Sequence, residues 1–584
     1  MRPVRPDLGA SIVGSRSYHD KEAPSVEDSH DASEAYRAWR AERTAGVWES
    51  IKLNRRAVLW SMAISATLIM EGYDTILISS FYGYPTFQQK YGQYYPQLQS
   101  FQVSSAWQVG INNSEIVGLI IGGLINGWAS PRFGYKKTLL VSLAVLIATL
   151  FATFFAPSIT VLLIGQLLNG VPLGVFATTG PAYASEVLPL SLRGYLLTYC
   201  NLCFAVGQII ANGVLKAFAS NQTQWSYRIP FAIQWVWPLP LIVLLSFAPE
   251  SPWFLLKTSR RDEAAQVLRR LADKSEDEIN ATLAQMAHTI KLEQDMEAGT
   301  SYLECLKGVN LRRTEIACLA WTGQILPGLI LAYSATYFFI SAGLSLDDAF
   351  SLGVGTNAIS IVGTILSWGL IASFGRRSIY LVGIAIMIIT MFIVGILSAT
   401  TKTMSGLWAQ AALLVVWHGV HSLTVGPIAF AIVAEISAIR LRTKTVVLAR
   451  TVYNLALIFA TVIGPYSLNP SAWNWSGRVG FFWAGLGSLI AVWAFFRLPE
   501  SKVCAKYPEF VCHPANSSSL RDARMRSLTS CSHKEHQHAS STQLRSRFMT
   551  KPTAPAQISR IEKRRNQTSR LTTQSIAAPR HRQT

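Results

Sequence analysis

Twelve apolar runs, each near the length that crosses a bilayer, leave this chain few folds. A spanning helix needs roughly 20 mostly apolar residues, and inside lipid only a helix or a closed barrel satisfies its own backbone. The runs fall at about 57–82, 109–129, 138–156, 159–180, 195–217 and 230–248, then at about 317–340, 350–374, 379–399, 407–433, 446–467 and 479–497; we number them spans 1 to 12. They predict an all-α membrane protein: a polar segment (1–56), a six-helix half (57–248), a linker (249–313), a second six-helix half (314–502) and a tail (503–584). Half of the 584 residues are hydrophobic and 15% charged, too oily for an ordinary soluble domain.

The formal charge of +19 would suit a nucleic-acid binder, but its location argues otherwise. From Val503 onward 15 Lys/Arg stand against 4 Asp/Glu, so net +11 sits in a Ser-, Thr-, Arg-, Gln- and His-rich tail. That composition predicts a solvated, disordered segment, and no nucleic-acid partner is expected. The seven cysteines have neither zinc-site nor disulfide-framework spacing, and Cys200 and Cys203 lie in an apolar run as packing residues. His418 and His421 have no third ligand nearby and read as polar packing. No metal or cofactor is expected. Residues 1–55 hold no apolar run, so span 1 is expected to act as the insertion signal.

Basic residues set the expected orientation. Arg132, Lys136 and Lys137, then Arg193, Arg376 and Arg377, and Arg440, Arg442 and Lys444 all follow even-numbered spans. The stretch 83–108 holds only Lys90, and 341–349 holds Asp347 and Asp348 without a base. Both termini are therefore expected in the cytosol, with the triplets at Asn221 and Asn474 outside. The halves also echo one another: Arg132-Phe-Gly134 answers Ser373-Phe-Gly375, and Glu186…Arg193 answers Glu435…Arg442. Two motifs recurring at nearly one offset indicate a duplicated six-helix unit. The linker has apolar residues at helical spacing amid strong charge, predicting short helices on the membrane face.

An ionised side chain at bilayer depth is costly unless paired or wet, so intramembrane charges are functional candidates. Glu71 and Asp74 stand three apart in span 1, Glu115 lies in span 2 and Arg450 in span 11. Three carboxylates near one guanidinium cannot all be ionised cheaply, so at least one is expected to hold a proton near neutral pH. That excess of acid over base supplies a symport mechanism, with Asp74 the first candidate for the proton site.

Pro249-Glu250-Ser251-Pro252-Trp253, the two Glu-to-Arg motifs and Gly375-Arg376-Arg377, in this order, resemble the sugar porters of the major facilitator superfamily. Within that family the chain is similar to fungal maltose and general alpha-glucoside permeases through Met70–Thr75, Asn113-Ser114-Glu115, Lys307–Thr314, Ile432–Ser437, Asn469-Pro470 and Trp473-Asn474-Trp475. It departs from the porters at Pro131 and Ala372, where an acid is usual, at Gln166, where an Arg is common, at Ile325 and Ile330, and after Lys502, where the closing signature does not continue.

The resemblance implies proton-coupled uptake of a disaccharide such as maltose at the plasma membrane by a multi-pass monomer, not an enzyme. It implies that Glu71, Asp74, Glu115 and Arg450 serve proton coupling; a structural ion network with no net proton uptake is the alternative. Cavity positions for a sugar fall, on the same resemblance, at Asn201, Gln324, Asn357, Phe430, Tyr453 and Asn454, with helix-to-helix hydrogen bonding or packing the alternative for each. Glu186, Arg193, Glu435, Arg442, Arg132 and Arg376 fall at the cytosolic ends, where salt bridges between the halves would hold an outward-open state and local helix capping is the alternative. Two rival functions stand beside it: an uncoupled sugar facilitator, and a carrier-like sugar sensor that signals without transport.

Overall fold

The computed structural model of the chain describes residues 47–500, apart from 98, 298–301, 342, 402 and 438–440. The tail, most of the N-terminal segment and Arg440 lie outside the described residues. Ten helices among those described are long and apolar enough to cross a membrane. Spans 1 and 7 complete the expected twelve as broken helices, which apolar length alone did not reveal.

Each break has a local cause and a substitute hydrogen bond. Span 1 divides into Arg55–Ser65 and Leu68–Phe81. There the Thr67 hydroxyl donates to the Ile64 carbonyl at 2.8 Å, and the Trp237 indole donates to the Ala66 carbonyl at 3.2 Å. A carbonyl released from a helix in lipid needs such a partner. Span 7 divides into Gly308–Thr322, Leu329–Tyr333 and Ala335–Ser341, with Gly328 at φ 111°, a left-handed conformation that a side chain would strain. Span 10 breaks at Thr424, just before Gly426-Pro427, and span 6 passes through a short 3-10 turn, Gln234–Val236, ahead of Pro238.

Spans 2 and 4, Ser105–Phe133 and Ile159–Val187, meet backbone to backbone. A Cβ at Gly118 or Gly122 would enter the Leu167 or Val171 carbonyl, and one at Gly170 or Gly174 would enter that of Glu115 or Leu119. Small residues permit such contact, and helices in lipid associate largely through packing of this kind. In the linker, Pro252–Lys257, Arg261–Leu271 and Glu276–Glu297 form the expected short helices. At the opposite face, helix Pro85–Tyr91 and an antiparallel hairpin pairing Gln93–Tyr95 with Ser100–Gln102 were not expected. We call the two faces the linker face and the hairpin face.

Polar bonds join the halves toward the hairpin face. Asn469 Nδ2 donates to the Val103 carbonyl at 2.9 Å, Thr461 Oγ1 to Asn113 Oδ1 at 2.9 Å, and Ser79 Oγ to the Tyr333 carbonyl at 3.0 Å. Lys216 Nζ reaches Ser351 Oγ at 2.7 Å and Asp347 Oδ1 at 3.8 Å.

Candidate functional site

Span 1 carries its two acids into the protein rather than toward lipid: Glu71 is 8% and Asp74 2% exposed, and Glu115 of span 2 is 8% exposed. Gly72 and Gly207 let span 1 press against span 5, since a Cβ at either would enter the partner's carbonyl. Asp74 Oδ1 accepts from Gln234 Nε2 at 2.7 Å, while Oδ2 is buried without a partner. The Glu71 and Glu115 carboxylates make no side-chain hydrogen bond or ion pair among the described residues. Arg450 and Tyr333 lie within electrostatic reach of Glu71, and both span 1 acids within reach of Glu115.

Arg450 has no carboxylate within 4 Å among the described residues; it sits 4.9 Å from the Tyr453 ring centroid and 5.9 Å from that of Trp321. Guanidinium over aromatic faces is favourable, more so where water is scarce. The geometry thus brings three buried carboxylates near one another, with one cation in reach of Glu71 but paired closely to none of them.

Trp321, absent from the expected set, packs against two of the candidates for sugar contact. Phe430 meets it edge-on at 5.3 Å, and Tyr453 lies tilted to it at 6.3 Å. Three polar atoms at the break of span 7, Trp321 Nε1, Thr322 Oγ1 and Gln324 Nε2, are buried and unpartnered, as is Gln208 Nε2 in span 5. Buried polar atoms nearly always have a partner, so such a group is suited to a ligand rich in hydroxyls. Asn357 is buried in span 8, and Asn201 and Asn454 are half-buried. None of these three amides bonds to the Trp321 group among the described residues. Gln166 and Asn169 of span 4 are also buried with both amide atoms unpartnered.

The gate candidates sit in matched turns on the linker face. In the second half Arg376 donates to Glu435 at 3.1 Å, and Glu500 accepts from the Arg376 amide at 2.8 Å. In the first half Tyr135 occupies the place of Arg376: its hydroxyl donates to Glu186 at 2.7 Å, and Glu250 accepts from its amide at 2.9 Å. Ser251 also donates to Glu186. Glu186 and Glu435 lie inside the last turns of their helices rather than following them as the sequence suggested, and each accepts from a partner in its own half. Arg132 stacks 4.5 Å over Trp128, and Arg193 Nε donates to the Leu188 carbonyl at 3.1 Å. Arg442 opens span 11.

Burial lifts the Glu250 carboxyl above the usual carboxylate range, and amide donors from Ser251, Tyr135 and Lys136 draw it back. Glu250→Ala would leave the Tyr135 and Lys136 amides at the start of span 3, and the Ser251 amide of the linker, without their acceptor. The expected loss is about 1–3 kcal/mol, read as a lower unfolding temperature of the purified protein, with a smaller loss for Glu250→Gln.

Two echoed six-helix halves around a buried, unevenly charged centre define a carrier of the major facilitator type. Residues 60–505 match the family model described as "Sugar (and other) transporter", and the chain belongs to that family. A maltose permease of Saccharomyces cerevisiae is 38% identical over 492 residues, covering 83% of this chain and 80% of the permease. A general alpha-glucoside permease of the same species is 35% identical over 483 residues, covering 82% and 78%. Among solved structures, a partially occluded inward-open conformation of the xylose transporter XylE from E. coli superposes with a TM-score of 0.63 at 21% identity, covering 77% of this chain and 99% of that one.

Proposed function

We propose that this chain carries an alpha-glucoside such as maltose together with a proton across the plasma membrane by alternating access. The permeases named above support the sugar class. The observation that supports the proton is the buried centre, where Asp74 Oδ2 is unpartnered, Glu71 and Asp74 both lie near Glu115, and Arg450 is within reach of Glu71. In this reading protonation neutralises the centre, sugar binds at the Trp321 group, and one half rocks over the other; release of the proton on the far side returns the acid. The linker face, rich in Lys and Arg, is the cytosolic one, the hairpin face looks outward, and the carrier works as a monomer.

Uptake of radiolabelled maltose, with and without an inward proton gradient, tests the proposal. Accumulation above the external concentration that an uncoupler collapses is the expected result. Equilibration that ignores the gradient would indicate a facilitator. Neither uptake nor sugar-induced external alkalinisation would indicate a sensor.

A further inference from the structure

Gln234 reaches the proton candidate from a turn that is itself clamped. It opens the 3-10 turn Gln234–Val236 of span 6, directly after helix Trp225–Ile233. The next residue, Trp235, donates its indole N–H to the Ile147 carbonyl of span 3 at 3.1 Å, and Trp237 holds the Ala66 carbonyl of span 1. One turn earlier, the Pro230 carbonyl accepts from the Tyr73 hydroxyl at 2.8 Å. Three bonds therefore tie span 6 to spans 1 and 3 without Gln234. What Gln234 adds is the 2.7 Å bond from Nε2 to Asp74 Oδ1, with both side chains 2% exposed.

A donor fixed on one carboxylate oxygen makes the two oxygens unequal. A proton on Oδ1 would meet the Gln234 N–H donor against donor, whereas Oδ2 is buried without a partner. The same N–H stabilises the ionised carboxylate more than the neutral acid, because a charged acceptor takes the stronger bond.

We infer that Gln234 is the positioning residue of the proton site: it directs the exchanged proton to Asp74 Oδ2 and sets the pH at which that proton leaves. The inference rests on the carrier reading above. Other groups near Asp74 that can carry charge are Glu71 and Tyr73 of span 1 and Glu115 of span 2, with Tyr333 of span 7 and Arg450 of span 11 in reach of Glu71. Span 5 packs the thiols of Cys200 and Cys203 against Leu68 of span 1; span 4 has no charged residue before Glu186, and span 6 none after Arg228. Among the described residues Gln234 is the side chain that hydrogen-bonds to the Asp74 carboxylate.

Proton-driven maltose uptake, normalised to protein at the cell surface, is measured against external pH for the intact chain, Gln234→Met and Gln234→Glu. Methionine keeps the length of the side chain and removes the donor. Glutamate keeps the shape but sets a second acid against Asp74, and two acids in contact do not ionise together. Either change makes the site keep its proton to higher pH. The alkaline fall of uptake is expected about one pH unit higher in Gln234→Met and at least as far up in Gln234→Glu. Because glutamate preserves size and polarity, that variant reports even if Gln234→Met does not reach the surface. A side chain that only braced spans 1 and 6 would cost surface protein or maximal rate and leave the midpoint in place. A wild-type midpoint in either variant would therefore overturn the inference and leave the carrier reading standing, whereas an intact chain with no proton-driven uptake would remove that reading itself.

Discussion

Asp74→Asn is expected to abolish uphill accumulation of maltose while sparing exchange of internal for external sugar. Asparagine keeps the volume of the side chain and an oxygen to accept from Gln234 Nε2, the bond of 2.7 Å that fixes Asp74 between spans 1 and 6. It cannot bind and release a proton. If one proton accompanies each sugar, a gradient of one pH unit stores about 1.4 kcal/mol and supports at most about a tenfold accumulation; the variant should reach a ratio of one. Exchange needs only that the loaded carrier reorient, so a carrier held permanently neutral at this position should still perform it. The two assays therefore separate lost coupling from lost folding. Equal gradient-driven accumulation by both proteins would remove Asp74 from the mechanism and leave Glu71 and Glu115, both buried nearby, as the remaining acids.

The membrane architecture was legible because burying backbone in lipid forces long apolar runs, and those runs can be read residue by residue. The breaks were not, although their residues were in view. Pro327-Gly328 in span 7 and Gly426-Pro427 in span 10 interrupt helices without interrupting apolarity. What permits the break in span 1 is a side chain from elsewhere, Trp237, which meets the freed carbonyl. The three acids and Arg450 stood out because charge in an apolar run is conspicuous. Their surroundings did not, because the Asp74–Gln234 bond spans 160 positions and no local spacing records it. Trp321 is one of 17 tryptophans, and nothing in its neighbourhood marks it as the ring that Phe430, Tyr453 and Arg450 share. The linker-face motifs were legible as repeats, whereas the exchange of Arg376 for Tyr135 as the partner of the matched glutamate required coordinates.

Gly122→Val is expected to cost about 3 kcal/mol, at the upper end of overpacking effects, and to remove most folded protein from the membrane. Spans 2 and 4 touch through Gly118, Gly122, Gly170 and Gly174, and a Cβ at Gly122 would overlap the Val171 carbonyl and crowd the Gly174 backbone. These obstacles are main chain in two long helices, so no side chain can swing aside; the helices must separate along their length. Separation would be felt at the centre, because the carbonyl that faces Gly170 belongs to Glu115, whose position the same contact sets. Gly127→Ala is the control: it lies in the same helix with nothing within 4 Å of an added Cβ, and alanine favours helix over glycine by about 1 kcal/mol. Retention of detergent-solubilised protein after heating should thus fall sharply for Gly122→Val and hold or rise for Gly127→Ala. Matching melting behaviour in the two variants would mean that spans 2 and 4 do not meet backbone to backbone, and that Glu115 is held in place by something other than this glycine seam.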